Sequence, residues 1–455
     1  MLRRAALALL AIVAPSLASA QSQGAPLVSS PILARSEPGK DASDLRVTPT
    51  DPNGWTVGRT LADKSSDVIS LRDFGAKGDG TTNDDTAWRK ALTVVAGGGK
   101  LLVPCGVYVL TPFSFNVLAY KELVIEGSGS CSELYFPGLS SGAAIKINLD
   151  QEFAAFHLRD LHITTDTPSN STFGIAAYGP SGNLAAVGAL NDISNVVLRA
   201  HAGQYQAAYF GVGVYLKLVN NVIFDRFQYW GPSGDGSSKS PYHGTAVKFE
   251  GAATGCKQGN GRVTTNFCYA VGYRFVDSHL AQCAICVVYG NYAQGVRFVN
   301  TDIIGSYVGI QVPSGQTAND VLSFTNGEIY ATQQGILNHS AKSFSFVNAS
   351  CQIVAINSTC LYIGSAGGSS VIGSHFNGSD TGTSTPVTGS TGVFVASSAK
   401  NVVITGNTYN FLAHGNYVQG GAANVNVQSN SYDSITKSNT PSATTGTVVI
   451  GGGSP

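Results

Sequence analysis

One short phrase returns along much of this chain: apolar, any, apolar, any, small polar. It reads Val222-Ile-Phe-Asp-Arg, Tyr273-Arg-Phe-Val-Asp, Val296-Arg-Phe-Val-Asn, Leu322-Ser-Phe-Thr-Asn, Phe344-Ser-Phe-Val-Asn, Val402-Val-Ile-Thr-Gly and Val425-Asn-Val-Gln-Ser. Its middle apolar residues are Leu198, Phe224, Phe249, Phe275, Phe298, Phe324, Phe346, Ile372, Ile404 and Val427, 22 to 32 residues apart. A period of this length with two-residue alternation inside each unit predicts short strands stacked into a solenoid that buries a shared core. Two residues beyond the landmark stand Asp277, Asn300, Asn326 and Asn348, side chains that can bond up and down a stack. The fold class expected is all-β, a single-stranded right-handed parallel β-helix with an N-terminal capping α-helix. A leucine-rich repeat would need a recurring Leu frame and an armadillo repeat long helical stretches, and neither is visible.

Residues 1–20 carry Arg3 and Arg4, an apolar run from Ala5 to Ala14 and Ala18-Ser19-Ala20, the layout of a secretory signal peptide. The expectation is therefore a secreted, periplasmic or cell-surface protein. No other apolar run is long enough to span a bilayer. Lys+Arg and Asp+Glu number 27 each, and without Arg3 and Arg4 the balance is 25 − 27 = −2. Such a charge points to no nucleic acid. All eight cysteines follow the signal, where disulfides persist. Cys256 with Cys268 and Cys105 with Cys131 are the candidate pairs, buried thiols being the alternative. Cys283-Ala-Ile-Cys286 has metal-knuckle spacing without a second such pair, so no metal site is expected.

Residues 21–66 are aperiodic and read as an extended lead-in. After them Val68 to Leu92 reads as a strand, a Gly turn and a helix starting near Asn83 or Asp84, with Ala87, Trp88, Ala91, Leu92 and Val95 on one face. Such a helix would cover the open end of a solenoid. Asp73-Phe-Gly-Ala-Lys-Gly-Asp-Gly80 followed by Asn83-Asp-Asp-Thr86 closely resembles the N-terminal signature of the pectate-lyase-like β-helix superfamily, which includes glycoside hydrolase family 28-related proteins, mannuronan epimerases and phage tailspikes. The resemblance implies the fold over residues 67–433. It leaves the chemistry open, since one fold hosts hydrolases, lyases, epimerases and binders. Asn300-Thr301-Asp302 matches an element of the polygalacturonases, but that family's Asp-Asp pair is missing from the following coil, as are its Gly-His-Gly and Arg-x-Lys and the epimerase Asp-Pro-His-Asp. Residues 434–455 read as a frayed tail, or a segment ordered only in an oligomer.

If the landmark points inward, the position four after it points out. On three successive coils that position holds His279, Asp302 and Glu328. Stacked at about 4.8 Å, Asp302 and Glu328 would disfavour each other's charged form and match the spacing of about 5–5.5 Å in retaining glycosidases. Solvation of a strand face is the plainer explanation of such charges. One position before the landmark, Lys248, Arg274 and Arg297 form a second column, which either splays into water or binds an anion such as a uronate. The insertion Gln228–His243 offers Trp230 and Tyr242 as rings on which sugars can stack. These residues carry the functional expectation: an exported protein that cleaves a polysaccharide, by hydrolysis at Asp302 and Glu328 tuned by His279, or by β-elimination with the cations neutralising a uronate. The alternative is a non-catalytic adhesin gripping polysaccharide through Trp230, Tyr242 and the basic column. No cofactor is implied except Ca²⁺ for a lyase, and a monomer and a homotrimer are equally compatible with the sequence.

Overall fold

A computed structural model describes residues 68–149, 153–179, 190–232, 242–252, 270–315, 321–364, 367–378, 385–441 and 448–450, with two short strands at Arg46–Val47 and Arg59–Thr60. The expected signal peptide, Cys256, Cys268 and residues 233–241 of the insertion lie outside them. The chain divides into two units, residues 1–66 and Asp67–Pro455. In the first, the two short strands pair antiparallel. In the second, every pairing among the described strands is parallel, and the strands form three sheets wound into a right-handed β-helix.

Sheet one runs from Gly99–Val103 through Glu122–Gly127, the first half of Ala155–Thr165, Asn191–Ala200, Val222–Asp225, Ala270–Val276, Ala293–Val299, Val321–Thr325, Ser343–Val347, Ser369–Ile372 and Lys400–Thr405 to Ala423–Gln428. Sheet two follows each of these strands after a short turn, and includes Ser132–Phe136, Gln228–Trp230, His279–Ala281 and the starts of Asp302–Val312 and Glu328–Asn338. Sheet three closes each coil, with Tyr209–Lys217, Thr245–Glu250 and Ile285–Tyr289 among its strands.

The recurring phrase has a backbone cause. Its small polar residue adopts positive φ on coil after coil: Asp160 54°, Asn195 51°, Asp277 49°, Asn300 48°, Asn326 54° and Asn348 48°, with Gly373 and Gly406 taking the same place. This left-handed residue turns the chain from sheet one into sheet two, and Asn, Asp and Gly tolerate that conformation best. Asn300 Nδ2 donates to Asp277 Oδ1 at 3.1 Å, one rung of the expected ladder. Asn326→Val is expected to cost about 1–2 kcal/mol in urea unfolding because a β-branched residue must enter this region, while Asn326→Gly is nearly neutral. Equal stability of the Val variant would contradict this reading of the turn.

Inside, the landmark side chains stack: Phe224 on Phe275 at 4.4 Å between ring centroids, Phe275 on Phe298 at 4.6 Å, Phe298 near Phe324 at 5.7 Å and Phe324 on Phe346 at 5.5 Å. Three landmarks need correcting. Ile193, not Leu198, is in register with Phe224, and Leu198 pairs with Tyr229 on sheet two. Phe249 lies on sheet three, because the single coil from Phe224 to Phe275 contains long insertions that mimic an extra repeat. Val371, not its exposed neighbour Ile372, is in register with Phe346.

Helix α1, Asp85–Val95, buries Ala87, Trp88, Ala91, Leu92 and Val95 as expected, with the Trp88 ring 5.0 Å from Phe113. The acids of the N-terminal signature are structural ties. Asp84 accepts from the backbone of Lys77 and Gly78, Asp79 from that of Thr81 and Thr82, and Asp85 from both the amide and the hydroxyl of Thr111. Cys105 and Cys131 are bonded, as expected of neighbours one turn apart. Cys283–Cys286 and Cys351–Cys360 are also disulfides, not buried thiols. In the C-terminal segment expected to fray or to order only in an oligomer, the described strands Lys437–Pro441 and Val448–Ile450 continue sheets three and one by pairing with Leu412–Val418 and Ala423–Gln428. Backbone pairing carries this coil, so its Ser, Thr and Gly content concealed it.

Candidate functional site

The turn of one left-handed residue fixes which side chains share a face. Four positions beyond the true landmarks, His279 pairs with Asp302 and Asp302 with Glu328, on the outer face of sheet two. His279 and Asp302 are half-buried, and Glu328 is exposed. Gln228 lies below the column and Ser350 above it. Trp230 flanks it, its ring 4.8 Å from His279 and its Nε1 donating to Gln228 Oε1 at 3.3 Å.

Burial pushes the His279 imidazole below its ordinary value, and the Asp302 carboxylate opposes the shift. The sign follows: a folded-state value below the unfolded one means that folding loses stability as pH falls from about 6.5 through the folded midpoint. The midpoint of His279 in an NMR titration is expected below about 6.5, and Asp302→Asn should lower it further. A rise in that variant would contradict the placement.

The Gln228–His243 insertion has its described ends near this face. It leaves at Gly231, where a Cβ would come within 1.9 Å of the Gln282 carbonyl on the next coil, so only Gly fits the close approach. It returns at Tyr242, whose hydroxyl accepts from Thr332 Oγ1 at 2.9 Å on the Glu328–Asn338 strand. Trp230 thus meets the column at His279, and Tyr242 meets the Glu328–Asn338 strand at Thr332.

The basic column is not assembled. Arg274 and Arg297 are in register and exposed, but on sheet one, with Ile223 and Ser323 as their other partners. Lys248 lies on sheet three between Tyr215 and Val288, its Nζ 5.5 Å from the Tyr215 ring and 3.8 Å from Glu250. The misplaced landmark Phe249 caused this error. Asp225 and Glu250, carboxylates about one coil apart in sequence, are likewise split between sheets one and three.

Sequence reasoning missed a polar group at the N-terminal end of the same face. Glu133 Oε1 accepts from Thr164 Oγ1 at 2.5 Å and lies 2.7 Å from His201 Nδ1. His201 stacks on Tyr135 at 3.9 Å, and Tyr135 donates to Asp166 Oδ2 at 2.9 Å. Burial, with the Asp166 carboxylate, pushes the Tyr135 hydroxyl up to about 12. His162 sits beside Glu133 in register, directly in the column's line. Arg199 and Tyr205 complete the group. The signal was present: with Ile193 as landmark, Arg199 falls six residues on, the offset Trp230 has from Phe224. A second cluster lies on sheet one, where the buried Asp192 carboxylate binds His157 Nδ1 and both Nε and Nη2 of Arg159.

No protein-family model matches the chain. A stretch of 131 residues is 28% identical to the tail spike protein of Shigella phage Sf6, over 28% of this chain and 21% of that protein, so the chain spans about a fifth of the curated relative it matches. Among solved structures it is similar to the tailspike protein of the Acinetobacter phage vB_ApiP_P1, with a TM-score of 0.50 and 12% identity over 76% of this chain and 61% of that one. It is also similar to the DFA-IIIase of Arthrobacter chlorophenolicus A6, solved in complex with GF2, with a TM-score of 0.50 and 12% identity over 81% and 94% of the two chains. At such identities the likeness shows the fold alone, and at that level the β-helix resemblance read from the sequence holds.

Proposed function

We propose that the protein is an exported carbohydrate-active β-helix that cleaves a polysaccharide by hydrolysis on the outer face of sheet two. The observation that carries this is the direct register of Asp302 with Glu328, beside His279 and the Trp230 ring. Adjacent strands stand about 4.8 Å apart, close to the roughly 5–5.5 Å at which one carboxylate attacks the anomeric carbon while the other protonates the leaving oxygen. Water then resolves the glycosyl–enzyme, with the second carboxylate acting as base. The fold supports this by holding both groups on rigid strands. β-Elimination is less well supported, since Arg274, Arg297 and Lys248 lie on the other two sheets. Three disulfides among the described residues favour an oxidising compartment and so the export reading. Among those residues no helix is long and apolar enough to cross a membrane.

A second reading, polysaccharide binding without cleavage, is favoured by the exposure of Glu328 and by the stretch similar to a phage tail spike protein. Incubation with a polysaccharide panel separates the three. New reducing ends without ultraviolet absorbance support hydrolysis, absorbance of a conjugated uronate supports elimination, and retention without product supports the binder.

A further inference from the structure

Arg199 stands in register with Thr164, and beyond the paired Leu198 and Tyr229 it lies beneath Trp230 on the outer face of sheet two. The turn after it is pinned by the amides of Gln204, donating to the His201 carbonyl, and of Ala207 and Ala208, donating to the Gln204 carbonyl. That turn carries Tyr205, over whose ring the guanidinium sits 3.8 Å from the centroid. Arg199, Ala200, Tyr205, Trp230, Gly231 and Gln282 enclose a cleft of about 260 Å³. This is smaller than the roughly 300–1,000 Å³ of sites for drug-sized ligands and suits a single sugar ring.

The guanidinium is held but unanswered. Among the described residues it makes no ion pair, and its Nε is buried without a hydrogen-bond partner, as is Nε2 of His162 close by. Glu133, the carboxylate whose field reaches His162 together with that of Arg199, is already engaged by Thr164 and His201. A partly desolvated cation needs an anion, and a neutral ring in this cleft would leave it without one. A planar guanidinium fixed on an aromatic face is shaped for the two oxygens of a carboxylate, and Trp230 supplies an apolar wall for the ring that bears it.

We infer that this cleft is a subsite for a carboxylate-bearing sugar residue, held by Arg199 and packed against Trp230. The inference rests on the reading that the sheet-two face takes up a polysaccharide, and it identifies that polymer as acidic. The test measures binding of polygalacturonate, alginate and hyaluronan, each beside its carboxyl-reduced form, and of a neutral glucan, to wild type, Arg199→Met and Arg199→Lys. Wild type is expected to bind at least one acidic polymer and to lose roughly tenfold or more on carboxyl reduction. Arg199→Met should show that loss already and lose nothing further on reduction, and Arg199→Lys should lose part of it because the fork is gone. Unchanged melting of the variants shows that folding is not the cause. If Arg199→Met unfolds, Arg199→Lys decides. Variants that keep the wild-type ratio of acidic to reduced polymer overturn the inference. So does a wild type that binds only the neutral glucan, which leaves the polysaccharide reading standing, whereas binding to none of the polymers overturns both.

Discussion

Replacing Trp88 by alanine is expected to cost about 3–5 kcal/mol of unfolding free energy. The indole is fully buried, on the face of α1 that also buries Ala87, Ala91, Leu92 and Val95. Its ring meets Phe113, which in turn lies 6.0 Å from Phe136 and 6.2 Å from Phe115, so the side chain ties the helix into the first coils. Deletion would leave a cavity among these rings that neighbouring strands, fixed by their hydrogen bonds, cannot close. One term works the other way. Among the described residues Trp88 Nε1 is buried without a hydrogen-bond partner, a cost that truncation removes, which places the net effect near the lower end, about 3 kcal/mol. In a solenoid each coil contacts only its neighbours, so loss of hydrogen-exchange protection should appear in Gly99–Val103 and Phe113–Val117 first and spare Ala423–Gln428. An unchanged melting temperature and unchanged exchange would show that α1 contributes nothing to the end of the helix.

The architecture was legible because the turn into sheet two demands a left-handed residue at a fixed distance from an inward one. Where coils are short, as from Phe275 through Phe298 and Phe324 to Phe346, that pattern places every side chain. The register of His279 with Asp302 and of Asp302 with Glu328 was readable for this reason. The pattern misleads where an insertion has the length of a coil. Between Phe224 and Phe275 it made Phe249 look like a landmark, which moved Lys248 onto the wrong sheet and invented a basic column. It also hid the polar group at the N-terminal end of this face: with Leu198 taken for Ile193, Arg199 was not singled out. The bonds from Thr164 and His201 to Glu133 cross from one coil to another, and no local period encodes them. The disulfide from Cys351 to Cys360 likewise joins a sheet-two strand to a sheet-three strand within one coil, a closeness that spacing alone does not reveal.

Loss of either carboxylate of the column is the second large effect expected. Asp302→Asn and Glu328→Gln keep shape and volume while removing the ability to titrate or to attack carbon, and each side chain lies on a strand whose register does not depend on it. As acid, base or nucleophile, each group should contribute roughly a hundredfold or more, about 2.7 kcal/mol of transition-state stabilisation. Binding should be little changed, because Trp230 and the Arg199 cleft remain, so the loss should fall on kcat and not on KM. Arg274→Gln and Arg297→Gln, on sheet one, serve as controls and should turn over at the wild-type rate.

The most direct test of the account is therefore the turnover of Asp302→Asn and Glu328→Gln on a polysaccharide that the wild type cleaves. In each, kcat is expected to fall at least about a hundredfold, with binding and melting temperature preserved. Wild-type turnover in both variants, or loss of turnover in the Arg274 and Arg297 controls instead, would contradict it.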